Sequence, residues 1–525
     1  MSSIPKLAVQ NPLIITVDET ENILKNNSNA VWFDILNNFN YMDYVEIGVM
    51  YYDALYDYNK YHNFFKNNDN KKNETINEAR ERLLKNRPTV DKSIPVLFDP
   101  NYLKPKEKVT SPFSIAPGIA PHRVAGRKPK CFFALFKSFI GVALMGFPAT
   151  PEMVFQNLVS NPTFARVCGF NPKLSNCCRP KAIPSPRKIE QFDLIMQRYG
   201  IWNTAKYREL SENISTKVIT IEDKVVGDTT HYHAYAQFET VRSKDENGKE
   251  IKKSQSKVTK NCRCEDRKNC EHEYILADDG AGTIVKSGHK MYFGHKASVV
   301  GFPDQGVALD AVAMADGATH DGQTFLPHVK NLFEKLPIIQ PHIKAALYDS
   351  ACCDEKLKIT FKDELNINLK ASLNPRGRKT IEENLPKGMK KLTPYGNLVC
   401  NQGHDMDYQG VRTKSETYIY GPPKNDDGSI ICNNCDNKEE CCSHANTCGR
   451  TVTISYYLLP HLDETDPPMS KRFKTLMTKR PSVERMIKRL KCDLGDDRLK
   501  KRGNSAFQAY LDKTLIAYHI LLRHR

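Results

Sequence analysis

No stretch of about 20 consecutive apolar residues occurs in the chain, so no membrane-spanning helix and no membrane partner are expected. The opening residues, MSSIPKLAVQNPLII, lack a charged segment followed by a long apolar run, so no secretory signal is expected there. The phosphate-loop pattern Gly-x4-Gly-Lys-[Ser/Thr] is missing, and with it the usual sign of ATP use. His-Glu-x2-His is missing too, which removes the common zinc-protease arrangement. No internal repeat is visible.

What is present is a long, basic, cysteine-containing chain. Its 525 residues suffice for two to four domains with a large core, and 40% of them are apolar. The net charge is +16, an excess that favours a polyanionic partner such as nucleic acid. Sixteen cysteines with no secretory signal are expected in a reducing, cytoplasmic (nucleoid-associated) setting, where paired thiols more often mean metal than disulfide.

Composition divides the chain into five parts. Residues 1–110 are a polar, partly helical extension, with helix-compatible apolar spacing over 40–65, a polar break at 67–74 and a Pro- and Gly-rich linker at 95–130. Residues 111–205 read as a helical domain suited to DNA binding, with Pro151 opening one helix behind Thr150 as its cap. Residues 206–375 begin with short strands and then alternate helix and strand, which predicts a mixed α/β (α+β) sheet flanked by helices. This part carries a Cys/His insert at 255–275. Residues 376–475 form an insertion with strands and a second cysteine cluster, and 476–525 close the chain with helices.

Two aspartates occupy similar positions. Asp228 ends the apolar run KVITIEDKVVGD (217–228), and Asp349 ends HIKAALYDSA (342–351). Either alone reads as a turn or cap residue. Together, at the edge of one sheet, two such carboxylates repel and usually hold a metal or share a proton. Glu484 supplies a third acid. At about 100° per residue, Arg480, Glu484, Lys488 and Lys491 line one helical face beside the apolar stripe of Val483, Ile487 and Leu490. From Lys471 to Arg502 thirteen Lys or Arg stand against four Asp or Glu, a balance of +9 around this one glutamate. A basic groove holding an acid suits two-metal phosphoryl chemistry.

Arg480-x3-Glu484-x6-Lys491 resembles the Tyr-x2-Arg-x3-Glu-x6-Lys signature of DDE transposases of the bacterial insertion-sequence type, with Met477 at the Tyr position. GDTTHYHA and AALYDSACCDE are similar to that family's first and second Asp strands, and the resemblance covers about 131–525. It implies an RNase H-like catalytic core with an insertion before the Glu, and 135 residues separate Asp349 from Glu484. By this resemblance Asp228, Asp349 and Glu484 are the catalytic carboxylates and ligands of Mg²⁺ (or Mn²⁺). Arg480, Lys488 and Lys491 hold phosphates of double-stranded DNA, both transposon ends and target. The implied reaction is cleavage at transposon ends and joining of the 3′-hydroxyl to target DNA, by a protein that is dimeric on DNA. Asp278, Asp279 and Asp316 are rivals for the first two places but read as turn residues beside glycine. The alternatives are a non-catalytic transposase-derived DNA-binding protein and a metal-dependent nuclease of the same fold.

The cysteines fall into two groups. Cys432-x2-Cys435-x5-Cys441 has the spacing of a structural Zn²⁺ site, with Cys400 or one of Cys442, His444 and Cys448 as fourth ligand. Cys262-x-Cys264-x5-Cys270-x-His272 is tighter and less regular, a second possible Zn²⁺ site. Cys352 and Cys353, just after Asp349, read as buried filler.

Overall fold

The computed structural model describes residues 31–67, most of 130–441, 449–458 and 470–524, and isolated positions between 75 and 81. Most of the polar break at 67–74 and of the linker at 95–130 lies outside the described residues, as do Cys442, His444 and Cys448.

The first part is helical: Val31–Asn37, Val45–Asn67, Phe132–Leu144, Pro151–Ser160, Pro162–Cys168, Pro186–Arg198 and α1, Ile201–Ser215. Two of these starts follow directly from sequence. Thr150 accepts a hydrogen bond from Met153 N at 3.3 Å and Asn161 from Phe164 N at 3.0 Å. In each case a proline follows at the first helical position, where a missing N–H costs nothing. The helices close around aromatic rings. Trp202 stacks on Phe136 at 5.5 Å and meets Phe139 and Phe192 edge-on. Trp32, Tyr44 and Tyr51 join the same core, so residues from 31–67 and 132–205 share one apolar interior.

A mixed sheet follows. Five of its six strands are β1 Lys224–His233, β2 Lys290–Phe302, β3 Val307–Ala313, β4 Ala345–Leu347 and β5 Asn368–Lys370, and the sixth, Gly282–Ser287, pairs antiparallel with the first half of β2. Their spatial order is β3-β2-β1-β4-β5. β1, β2 and β3 are antiparallel neighbours, whereas β4 runs parallel to both β1 and β5. The helix α2, Phe325–Lys335, leads into β4, and α3, Glu355–Leu365, leads into β5. These crossovers are what parallel pairing requires. Every residue of β3, VALDAVA, is buried, as its continuous apolar run demands.

Two further helices complete the unit, α4 Ser482–Lys488 and α5 Asn504–Arg523. The long α5 lies between the two cores. Phe507, Leu511, Leu515 and Tyr518 pack with the sheet, while Ala509, Ile516 and Ile520 pack with the aromatic helices. Buried ion pairs cross the same seam. Lys206 on α1 meets Asp310 on β3 at 2.6 Å and Asp512 on α5 at 3.0 Å. Residues 376–475 contribute a hairpin, Met389–Leu392 with Leu398–Cys400, and a three-stranded sheet with its own small core around Leu392, Tyr418 and Ile454.

Two sequence expectations change. β1 starts at Lys224 rather than 217 and runs on to His233, so Asp228 lies inside a strand rather than at its tip. The antiparallel partner β2 is long enough to extend the ladder past it, with Asp228 opposite Val299. The helix expected from Arg480 through Lys491 is α-helical only over Ser482–Lys488 and then widens to a π-helical turn, Arg489–Asp493. That widening breaks the period that had placed Lys491 beside Glu484.

Candidate functional site

The sheet register brings the two aspartates together. The parallel ladder between β1 and β4 ends at the pair Val226–Leu347. Asp228 and Asp349 each lie two residues further on, where the period-two alternation of extended chain returns a side chain to the same face. β1 continues against β2 to His233 while β4 stops at Leu347, so the parallel ladder ends just before the two aspartates. Asp349 caps the short 3-10 turn Ser350–Cys352, accepting from Ala351 N at 2.9 Å.

Glycine sets the depth of the surrounding packing. A Cβ at Gly227 would sit 2.3 Å from the Phe325 ring, so α2 seats against β1 beside Asp228 only because that position is bare. A Cβ at Gly301 would sit 2.4 Å from the Met486 sulfur, so the same holds for α4 on β2. Buried Val483 and Met486 then fix α4, and Glu484 projects from its exposed edge.

Arg480 joins the ends of this arrangement. Its guanidinium donates to Asp228 Oδ2 at 2.7 Å and to Glu484 Oε1 at 2.9 Å. Asp228 also accepts from Thr229 N at 2.8 Å. Burial pushes the Asp228 carboxyl up to about 6; Arg480 and the Thr229 N–H oppose this, while the charges of Asp349 and Asp321 add to it.

Asp321 is the residue that sequence reasoning missed. At the start of DGQTFLPHVKNLFEKL (321–336) it has the place of a helix cap, yet it lies close enough to act electrostatically on Asp228 and accepts from Thr229 Oγ1 at 2.9 Å. Lys296 on β2 pairs with it and donates to Thr319 O at 2.9 Å. Only the meeting of β1, β2 and the α2 approach reveals this fourth acid; its local pattern, DGQT, is that of an ordinary cap. Asp349 and Asp321 thus lie within electrostatic reach of Asp228, and Arg480 links Asp228 to Glu484. No three of these acids bring ligand oxygens within 4.8 Å of one another, so they do not form a closed ligand group here.

The basic residues are placed differently from one another. Lys488 is exposed on α4. Lys491, in the π-helical turn, donates to His231 O at 2.5 Å and lies 4.9 Å over the Tyr232 ring. Among the rival acids, Asp316 is a turn residue accepting from Ala318 N at 3.0 Å. Asp278 is more than that. It is buried, bonded to His295 Nε2 at 2.9 Å, and accepts from Gly503 N at 3.1 Å, anchoring the start of α5. Burial pushes the Cys352 thiol far up, which suits filler rather than a nucleophile.

The two cysteine groups also separate. Strands Val258–Lys260 and Tyr274–Leu276 pair antiparallel, so Cys262 and Cys264 at one exit face Cys270 and His272 at the other. Spacing of two directs both side chains of each pair to one side. Cys262 Sγ lies 3.6 Å from Cys270 Sγ, and Cys264 Sγ lies 3.6 Å from His272 Nδ1. All four ligand atoms lie within 4.8 Å of one another, the only such group among the described residues. Tetrahedral Zn²⁺ with bonds of about 2.3 Å to sulfur needs sulfurs roughly 3.8 Å apart, so this group is already near ligand geometry. Burial pushes the Cys270 thiol up, but hydrogen bonds from His272 and Cys262, with Lys260 nearby, bring it down to about 6. The group is therefore a site that can hold a metal such as zinc. It was the less regular of the two in sequence, because spacing rules do not see a strand pair.

No family model matches the chain, and no curated protein matches it. Among solved structures the chain is similar to a piggyBac transposase in a synaptic complex with hairpin DNA, at 9% identity and a TM-score of 0.33. The match covers 75% of this chain and 65% of that one, so the chain spans slightly under two thirds of that protein. No helix among the described residues is long and apolar enough to cross a membrane.

Proposed function

We propose that the protein is a DDE-type transposase with an RNase H-like core, in which Asp228, Asp349 and Glu484 hold Mg²⁺ or Mn²⁺ and Asp321 supports them. The observation that carries the reading is the register: Asp228 and Asp349 two residues past the last parallel pair of a sheet ordered β3-β2-β1-β4-β5, with Glu484 joined to Asp228 through Arg480. Antiparallel first strands and parallel later ones, with the acids on the first and fourth, are what an RNase H-like core requires.

Cations held there would polarise an attacking oxygen and stabilise the leaving oxygen of a phosphodiester. Arg480 supplies positive charge between Asp228 and Glu484, and it must let go of at least one of them before that pair can ligate a metal. Its released guanidinium, with exposed Lys488, is then available to a DNA phosphate. Lys491 reaches a phosphate only by leaving the His231 carbonyl. The double-stranded DNA partner, its transposon ends and target, and a dimer on DNA belong to the same reading.

The test is nicking and joining of DNA that carries the inverted repeats flanking the gene, with Mg²⁺ or Mn²⁺. Wild type should cut and join, and Asp228→Asn, Asp349→Asn and Glu484→Gln should each lose cleavage at least a hundredfold while still binding DNA. Equal cleavage by wild type and all three variants would overturn the reading. A non-catalytic DNA-binding protein is the second reading. It is favoured by Arg480, whose two ion pairs already compensate Asp228 and Glu484. It expects DNA binding with no metal-dependent cleavage by the wild type.

A further inference from the structure

We infer that Cys400, Cys432, Cys435 and Cys441 form a second metal centre, a closed four-thiolate zinc site that ties the insert together. It stands apart from the carboxylate cluster and from the Cys262 group, and it does not depend on the transposase reading.

Three separate stretches of the insert supply the ligands. Cys400 ends the strand Leu398–Cys400, and its N–H and C=O close a tight turn with His404 and Gly403. Cys432 lies in the short 3-10 turn Ile431–Asn434, which Cys435 terminates. Cys441 ends the helical turn Lys438–Cys441. The four side chains line one cavity of about 70 Å³, together with Met389, Met406 and polar side chains that include Lys387, Lys438 and Arg450. A space that size exceeds the roughly 10–15 Å³ one water needs, so it has room for an ion. Four cysteine sulfurs are the donors that Zn²⁺ takes, and the nearby cations would offset the charge of four thiolates.

The wall of the cavity is built around the sulfurs. Arg450 Nη1 donates to Cys441 O at 3.0 Å and lies 3.6 Å from its Sγ, which holds that side chain at the cavity wall. Behind it the chain has Gly388 at φ +86°. A Cβ there would lie 2.4 Å from Arg450 Nη1 and 3.0 Å from Cys441 Sγ, so a side chain would push the thiol off the cavity. The four sulfurs share this cavity without having closed to the mutual 4.8 Å of the Cys262 group, so binding the ion would draw them together and order the insert. Four cysteine ligands would fill the coordination sphere of Zn²⁺ and leave no open position, so the role is structural rather than catalytic.

Metal content of the full chain, purified and passed over a chelating resin, tests the inference. Wild type should carry about two zinc ions per chain, one at each cysteine group. Cys432→Ser/Cys435→Ser should lose about one and keep the other, whereas Cys264→Ser/His272→Ala should lose the other. Wild-type Cys432 and Cys435 should also be alkylated at least about tenfold faster after chelation, with new proteolytic cuts confined to 376–475. That measurement needs no variant, so an insoluble double mutant leaves the inference exposed to refutation. Zinc content unchanged in Cys432→Ser/Cys435→Ser, alkylation indifferent to chelation, or bound iron in place of zinc would overturn it.

Discussion

Two clusters of buried or half-buried acids lie on the same sheet and behave in opposite ways. On β3, Asp310 is fully buried, yet its carboxyl is held well below the usual range. Burial opposes ionisation there, but Lys206 at 2.6 Å, His328 and a hydrogen bond from Tyr207 at 2.5 Å outweigh it. On β1, Asp228 keeps some exposure, yet its carboxyl is pushed up to about 6. Its one cation, Arg480, is shared with Glu484, and its other neighbours include Asp349 and Asp321. Lys206 meets both acids of the first cluster across the seam between α1, β3 and α5; it outweighs burial at Asp310, whereas burial still pushes the Asp512 carboxyl up. The second cluster has been left with more acid than base. The first arrangement ties α1, β3 and α5 together, and the second is the one proposed above to take a cation.

The largest expected effect breaks the matched cluster. Lys206→Met leaves Asp310 and Asp512 buried without their shared lysine and should cost about 3–5 kcal/mol in urea unfolding. Replacing all three charges with apolar residues of similar volume should recover most of it. If Lys206→Met alone costs less than about 1 kcal/mol, the cluster is not compensated as described.

Asp228→Asn should act in the other direction. A carboxyl whose folded pKa of about 6 exceeds its unfolded value of about 3.9 favours folding below pH 4, and that contribution is lost as pH rises through 6. Removing the charge should therefore stabilise the metal-free protein by roughly 2 kcal/mol at pH 8 and by almost nothing at pH 4. Thermal melts at the two pH values check this, and destabilisation at pH 8 would contradict it.

Arg480→Gln sharpens the same contrast without touching a carboxylate. With the guanidinium gone, Mn²⁺ binding followed by electron paramagnetic resonance should tighten about tenfold, or roughly 1.4 kcal/mol. A purely architectural Arg480 would instead loosen binding. The smallest effect is expected at the basic surface. Lys488→Ala should reduce the slope of log K for DNA against log salt by about 0.9, one phosphate contact. Lys491→Ala should change it less, because that lysine is already bonded to the His231 carbonyl.

Much of this was legible in the chain. The apolar runs at 290–302 and 306–315 became β2 and β3, and the closing apolar helix became α5, because continuous burial and helical periodicity leave few alternatives. Asp228, Asp349 and Glu484 stand out by local setting, and the structure puts Asp349 within electrostatic reach of Asp228 and joins Glu484 to it through Arg480. The nearness of Asp321 to Asp228 could not be read, since a cap and a tertiary neighbour look alike in sequence. The Cys262 group looked irregular because its regularity belongs to two paired strands rather than to one segment. Lys491 was misaligned by the π-helical turn, which adds about one residue per turn and leaves no mark in the pattern of charge.

By itself, then, the sequence determined the kinds of element, their order and a short roster of acids and thiols, all properties carried by residues a few positions apart. The tertiary structure decided which acids meet, which are neutralised and which sulfurs converge. Register provides the reason. The end of the β1–β4 ladder at Val226 and Leu347 places Asp228 beside Asp349, and a slip of one residue in β4 would put the two carboxylates on opposite faces.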